Sequence, residues 1–149
     1  MSIESIRIIV DVSAMLISVL AIIVSAYKVN QQLELSLFEK YTARYSQIMQ
    51  SMPEEFFHEN IANIADDKKK EINHYIRSYL DLCSEEFYLH EQKRIDDTVW
   101  REWEGGILAA FKNPLVLAFW ETNEAYRKSY QNFSNFINEK LKAKNYTKS

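Results

Sequence analysis

Charged side chains are almost absent from the first part of the chain. Val12 to Tyr27 is a run of 16 residues without charge, and Ile8, Ile9 and Val10 extend it backwards. From Ile6 to Tyr27 there are 22 residues, which at a helical rise of about 1.5 Å each reach roughly 33 Å, enough to cross a bilayer core. Arg7 and Asp11 lie four apart on one face near the end of the segment, where they can pair and reach toward the interface. The pattern predicts a single transmembrane helix, with residues 1–28 as an anchor and 29–149 as a helical domain. Two other readings compete: a signal peptide cleaved after Val24-Ser25-Ala26, and a helix buried in a soluble core.

Within this segment Arg7, Asp11, Ala14, Ser18, Ala21 and Ser25, followed by Lys28 and Gln32, recur in steps of four and three. They form one stripe, while Ile8, Ile9, Val12, Met15, Leu16, Val19, Leu20 and Ile23 occupy the faces suited to lipid. Small residues let membrane helices approach closely and serines hydrogen-bond across the contact, so the stripe is a candidate seam for self-association. An incidental run of Ser and Ala is the alternative.

Beyond Lys28 the pattern becomes amphipathic. Leu35, Phe38, Tyr41, Tyr45, Ile48 and Met52 recur at helical spacing up to Pro53, either continuing the first helix or restarting after it. Ser51-Met-Pro-Glu54 has the form of a capping box, predicting a short helix that buries Phe56, Phe57, Ile61 and Ile64. Asp66-Asp67 reads as the next cap, opening a helix with Ile72, Tyr75, Ile76, Tyr79, Leu80, Cys83, Phe87 and Leu89 inward and closing near Lys93-Arg94. Another helix is expected from Asp96-Asp97, with Gly105-Gly106 as a point of bending and Asn113-Pro114 as its end. A last helix is expected from about Leu115 to Leu141, burying Leu115, Phe119, Tyr126, Tyr130, Phe133 and Ile137 before a lysine-rich tail. The fold class is therefore all-α: one transmembrane helix followed by a four- to five-helix bundle.

Composition agrees with long helices. Two glycines and two prolines in 149 residues cannot supply the turns of a many-stranded barrel or sandwich, and a hydrophobic content of 47% excludes a disordered chain. A net charge of -3 leaves no basic excess, and the lysine tail reads as a solvated helix end, so no nucleic-acid partner is expected. Mean hydropathy is -0.33, the value of a soluble protein. That average blends two unlike parts, because residues 1–27 hold only Glu4, Arg7 and Asp11 among the charged side chains. Lys28, Lys40 and Arg44 follow the span and only Arg7 precedes it, which places the domain on the cytoplasmic side of an inner membrane. A lone Cys83 fits that compartment.

Candidate chemistry is sparse. Glu55-Phe-Phe-His58 and Glu71-Ile-Asn-His74 both match the Glu-x-x-His motif of di-iron bundles, making Glu55, His58, Glu71 and His74 candidate metal ligands. The motifs lie on neighbouring segments, too close for the usual intervening glutamate helix, so no metal or other cofactor is expected. No catalytic residues are assigned: Cys83 falls in an apolar stripe, no Gly-x-Ser-x-Gly elbow occurs, and a charged helix face accounts for Asp81, Glu85 and Glu86. At helical spacing the aromatic residues, among them Trp100, Trp103, Phe119, Trp120 and Tyr130, read as bundle packing.

The string Trp100-x-x-Trp103-x-x-Gly106-Ile107, then Pro114, then Phe119-Trp120 with Tyr126, Tyr130, Phe133 and Phe136, resembles small uncharacterised bacterial or phage proteins with one N-terminal membrane helix. The resemblance covers roughly Phe38 to Phe136 and implies architecture and a bacterial setting, with no activity to transfer. The expected function is a non-enzymatic membrane-anchored interaction module that holds a protein partner, or a second copy of itself, at the lipid bilayer. The alternatives are a phage or anti-phage effector that perturbs the bilayer after oligomerising through its transmembrane helix and, third, a di-iron-like metal-binding bundle.

Overall fold

The computed structural model describes residues 3–57 and 64–146, with the side chains of Ile9 and residues 144–146 left aside. Among the described residues the fold is wholly helical: α1 (Ile3–Ser51), a 3₁₀ turn (Glu54–Phe57), α2 (Asp66–Glu91), α3 (Asp97–Ala110), α4 (Pro114–Thr122), α5 (Glu124–Ser129) and α6 (Gln131–Tyr146). The first helix does not restart after Lys28; it runs without interruption for 49 residues. The chain divides into two compact units, Met1–Leu37 and Phe38–Ser149.

The first unit is helix throughout its described length and buries none of its apolar stretch. Ile8, Leu16, Leu20, Ile22 and Ile23 are all exposed.

The second unit is built around α2, which packs against α3, α4 and α6. Ile72, Ile76, Leu80, Leu82 and Cys83 of α2 are fully buried, and Ile107, Val116 and Ile137 close over them from α3, α4 and α6. The 72–76–80 spacing places three branched side chains on one face, so burial of that face drives the helix into the core. Asp96 caps α3 by accepting a 2.7 Å hydrogen bond from the Thr98 N–H, and Asn113 caps α4 by accepting one of 2.9 Å from Leu115. Both caps satisfy amides that would otherwise lack a partner. Pro114 occupies the first turn of α4, where its missing N–H costs nothing.

At the C-terminus of α2 the Arg94 N–H donates to Leu89 O and the Lys93 N–H to His90 O, both at 2.9 Å. This is a Schellman closure, and it requires the left-handed conformation that Lys93 adopts with φ 55°. Glycine fills that position without steric cost, whereas a side chain there is strained. Lys93→Gly is expected to stabilise the fold by about 1 kcal/mol, seen as a higher denaturation midpoint. A midpoint that falls would show that the Lys93 side chain contributes more than its backbone strain costs.

Three local expectations are corrected. Ser51 is the last residue of α1, so no capping box forms there; Pro53 is followed by a 3₁₀ turn of four residues that buries none of its own side chains. Phe57 is exposed and Phe56 half-buried, with the turn tied down by Asn113 Nδ2 donating to Phe56 O at 3.0 Å. Ile64 is buried, and Ile61 lies outside the described residues. Asp66 and Asp67 belong to the first turn of α2, where their charge favours the helix N-terminus, while Ala65 holds the cap position without a side-chain bond. Gly105 and Gly106 lie within α3, which continues through both to Ala110.

The expected last helix is three helices. It breaks at Asn123 (φ -102°, ψ 70°) and at Tyr130 (φ -123°, ψ 56°). A hydroxyl precedes each break and donates to the carbonyl four residues back, Thr122 to Ala118 O at 2.7 Å and Ser129 to Ala125 O at 3.0 Å. Short polar side chains of this kind compete with the helical ladder. Side-chain donors gather on the carbonyls around the breaks: Asn123 Nδ2 joins its own N–H on Phe119 O, Arg127 donates to Trp120 O and Glu121 O, and Ser134 Oγ joins the Tyr130 N–H on Arg127 O.

Candidate functional site

Two features carry chemistry, one in each unit. In the first, Arg7, Asp11, Ala14, Ser18, Ala21 and Ser25 are all exposed on α1, as are Ile8, Val12, Met15, Leu16, Val19, Leu20 and Ile23 of the other faces. Ser18 Oγ donates within the helix to Ala14 O at 2.9 Å, joining two members of the stripe. The expected Arg7–Asp11 pair is not formed among the described residues.

In the second unit a cavity of about 200 Å³ opens between the C-terminal part of α1, α2 and α3. Tyr41, Thr42 and Tyr45 line it from α1, and Tyr79 and Glu86 from α2. Glu102, Trp103, Gly106 and Ile107 complete it from α3. The rings are in mutual contact: Tyr41 and Trp103 have centroids 5.7 Å apart, and Tyr45 meets Tyr79 edge-on at 6.2 Å. Phe38 stacks on Trp103 at 6.3 Å and supports that wall. The Tyr79 hydroxyl donates to Gly106 O at 3.5 Å, linking α2 to α3.

Asp81, Glu85 and Glu86, expected to share a single charged face, have separate environments. Glu85 accepts a two-pronged bond from Arg44, at 2.5 and 3.1 Å, and a third from the Tyr41 hydroxyl at 3.1 Å. Hydrogen bonding from Arg44 holds the Glu85 carboxyl below its ordinary range against the opposing effect of burial. Asp81 accepts from the Tyr126 hydroxyl at 3.0 Å and joins α2 to α5. Glu86 is 7% exposed, and burial pushes its carboxyl up to about 8; the Arg44 guanidinium opposes the rise and the Glu85 carboxylate adds to it. This correction has a sequence signal behind it. Ile72, Ile76, Tyr79, Cys83 and Glu86 follow one another in steps of four and three, so Glu86 continues the core stripe of α2.

The metal candidates do not converge. Glu71 and His74 are exposed on α2, where Glu71 pairs with Lys68 at 2.8 Å and His74 contacts Tyr75. Glu55 stands in the 3₁₀ turn and His58 lies outside the described residues. Among the described residues no group of three or more His, Cys, Asp or Glu side chains is placed to hold a metal ion. Cys83 is fully buried, and desolvation pushes its thiol well up, which suits a packing role and disfavours a thiolate. His90 stacks face to face on Trp100 at 4.6 Å, with its Nδ1 3.9 Å from the Asp97 carboxylate and without a hydrogen-bond partner.

Among the described residues, fold and site together define an all-helical protein with one helix long and apolar enough to cross a membrane. No protein-family model, curated protein or solved structure matches the chain.

Proposed function

We propose that this protein is a non-enzymatic membrane-anchored helical module, held in the inner membrane by α1, which binds a protein partner or a second copy of itself. The observation that carries the reading is the contrast between the two units. The apolar stretch of α1 has no side chain buried, whereas the domain after Leu37 has a complete core of its own. A soluble core helix would bury that surface against its own chain; a membrane helix leaves it for lipid. Lys28, Lys40 and Arg44 beyond the apolar run favour a cytoplasmic domain.

Self-association through the stripe is tested by crosslinking the full chain in native membranes and comparing it with Ser18→Leu/Ala21→Leu. Bulky side chains at both positions separate the backbones, so the crosslinked dimer is expected to fall by about fivefold, equivalent to a loss of roughly 1 kcal/mol of association free energy. Unchanged crosslinking would remove the stripe as an interface and leave a heterologous partner, sought on the helical domain by pull-down.

A further inference from the structure

The cavity bounded by Tyr41, Tyr45, Tyr79 and Trp103 is lined by a largely buried carboxyl that none of the described hydrogen bonds or ion pairs engages. Glu86 is only 7% exposed, lines the cavity, and takes part in none of the hydrogen bonds or ion pairs that bind its neighbour Glu85. A largely buried carboxyl that faces a cavity without a protein partner marks a place for water, an ion or a ligand. The cavity volume of about 200 Å³ exceeds several waters at about 30 Å³ each. It matches a small organic molecule rather than a large one.

The walls select its charge. Four aromatic rings, whose faces are electron-rich, line the space, and the ionisable side chains lining it with them are the carboxyls of Glu86 and Glu102. No lysine or arginine lines it, so an anion would find no counter-charge. The nearest guanidinium, Arg44, is committed to Glu85. A metal ion would require more oxygen ligands than two carboxyls, and no group of three metal-binding side chains exists among the described residues. An ammonium group draws its stabilisation from the ring quadrupoles and one carboxylate together, as in aromatic cages that bind quaternary amines.

We propose that this cavity binds a small organic ammonium ion, with Glu86 as its counter-charge and Tyr41, Tyr45, Tyr79 and Trp103 as its cage. The same chemistry is available from a free amine and from the headgroup of a zwitterionic lipid. The site stands on the second unit alone and does not depend on α1 crossing a membrane.

The test uses the full chain in maltoside micelles at pH 9, where the Glu86 carboxyl is ionised, titrated calorimetrically with choline and with its neutral isostere 3,3-dimethyl-1-butanol. Choline is expected to bind saturably and about tenfold more tightly than the isostere, and Glu86→Gln to weaken choline by a similar factor without affecting the isostere. Equal binding of choline and isostere, or no saturable binding of either, would overturn the proposal. That comparison needs no variant, so it stands even where Glu86→Gln perturbs folding. In a second arm the chain is placed in phosphatidylglycerol nanodiscs with and without phosphatidylcholine. Suppression of choline binding by phosphatidylcholine supports the site with a lipid headgroup as its occupant. Binding that is unchanged supports it with a soluble ammonium.

Discussion

Glu86→Gln is expected to abolish most of the loss of stability that the protein shows as pH rises from 5 to 8.5. An ordinary carboxyl in the unfolded chain titrates near 4.5, whereas burial raises that of Glu86 in the fold to about 8. Below 4.5 both states are protonated and the stabilisation is fully present; between 4.5 and 8 the unfolded state ionises while the folded state resists. Stability therefore drains away across that window, by an amount on the order of 3 kcal/mol, since each tenfold change in an ionisation constant corresponds to about 1.4 kcal/mol and the residual exposure of the side chain screens part of it. Glutamine keeps the size and the neutral form and has no proton to lose. Glu85 acts in the opposite sense: its carboxyl is lowered by Arg44, so its contribution is lost as the solution becomes acidic, and it remains in both proteins. Its carboxylate is about half exposed in the ion pair, which keeps that acid-side effect small. Thermal melts of the two proteins at pH 5 and pH 8.5 measure the difference. Parallel melting curves at the two pH values would mean that Glu86 ionises freely in the fold.

Trp100→Ala is expected to cost about 4 kcal/mol, as large a loss as a single core truncation commonly brings. Trp100 is 5% exposed and joins three helices: its ring meets Phe87 at 6.0 Å and stacks on His90 at 4.6 Å in α2, and meets Phe136 of α6 at 5.7 Å. Phe87 in turn touches Phe133 and Phe136, so the indole closes a continuous aromatic cluster. Alanine leaves a cavity that three separate helices would have to move to fill. Removal also strips the cover from His90 Nδ1, already without a partner. Trp103→Ala serves as the comparison, because Trp103 is only half-buried at the cavity wall and its loss should cost distinctly less. Denaturant midpoints of the two variants in micelles give the ranking; a reversed order would contradict the packing described for α3.

The long apolar run and the amphipathic stripes were legible because each rests on a repeated pattern. Ile72, Ile76 and Leu80 or Phe119, Tyr126 and Phe133 state their periodicity several times over. Single-residue decisions were less legible. The heptad spacing of Phe119, Tyr126 and Phe133 suits one continuous helix, and the breaks at Asn123 and Tyr130 depend on where Thr122, Ser129 and Arg127 direct their donors. The same holds at the cavity. Arg44 and Glu85 are paired across 41 positions of sequence, which no local spacing reveals. Glu86 did have a signal, since it continues the stripe through Tyr79 and Cys83, but two neighbouring acidic residues make it look like part of a solvated face. A charged residue in register with a core stripe is itself informative, because burying a carboxyl is costly and a fold retains one only where something offsets that cost.

Anchoring of a self-contained helical domain to a bilayer by α1 is tested by alkaline extraction of membranes carrying the full chain or Leu16→Arg/Leu20→Arg. Both leucines are exposed in the apolar stretch, and each arginine near the middle of a span costs about 3 kcal/mol on insertion. The unaltered chain is expected to stay with the membrane pellet and the double variant to move to the supernatant, with its domain still helical. An unaltered chain released by alkali, or a double variant retained as firmly as the original, would contradict a membrane-spanning α1.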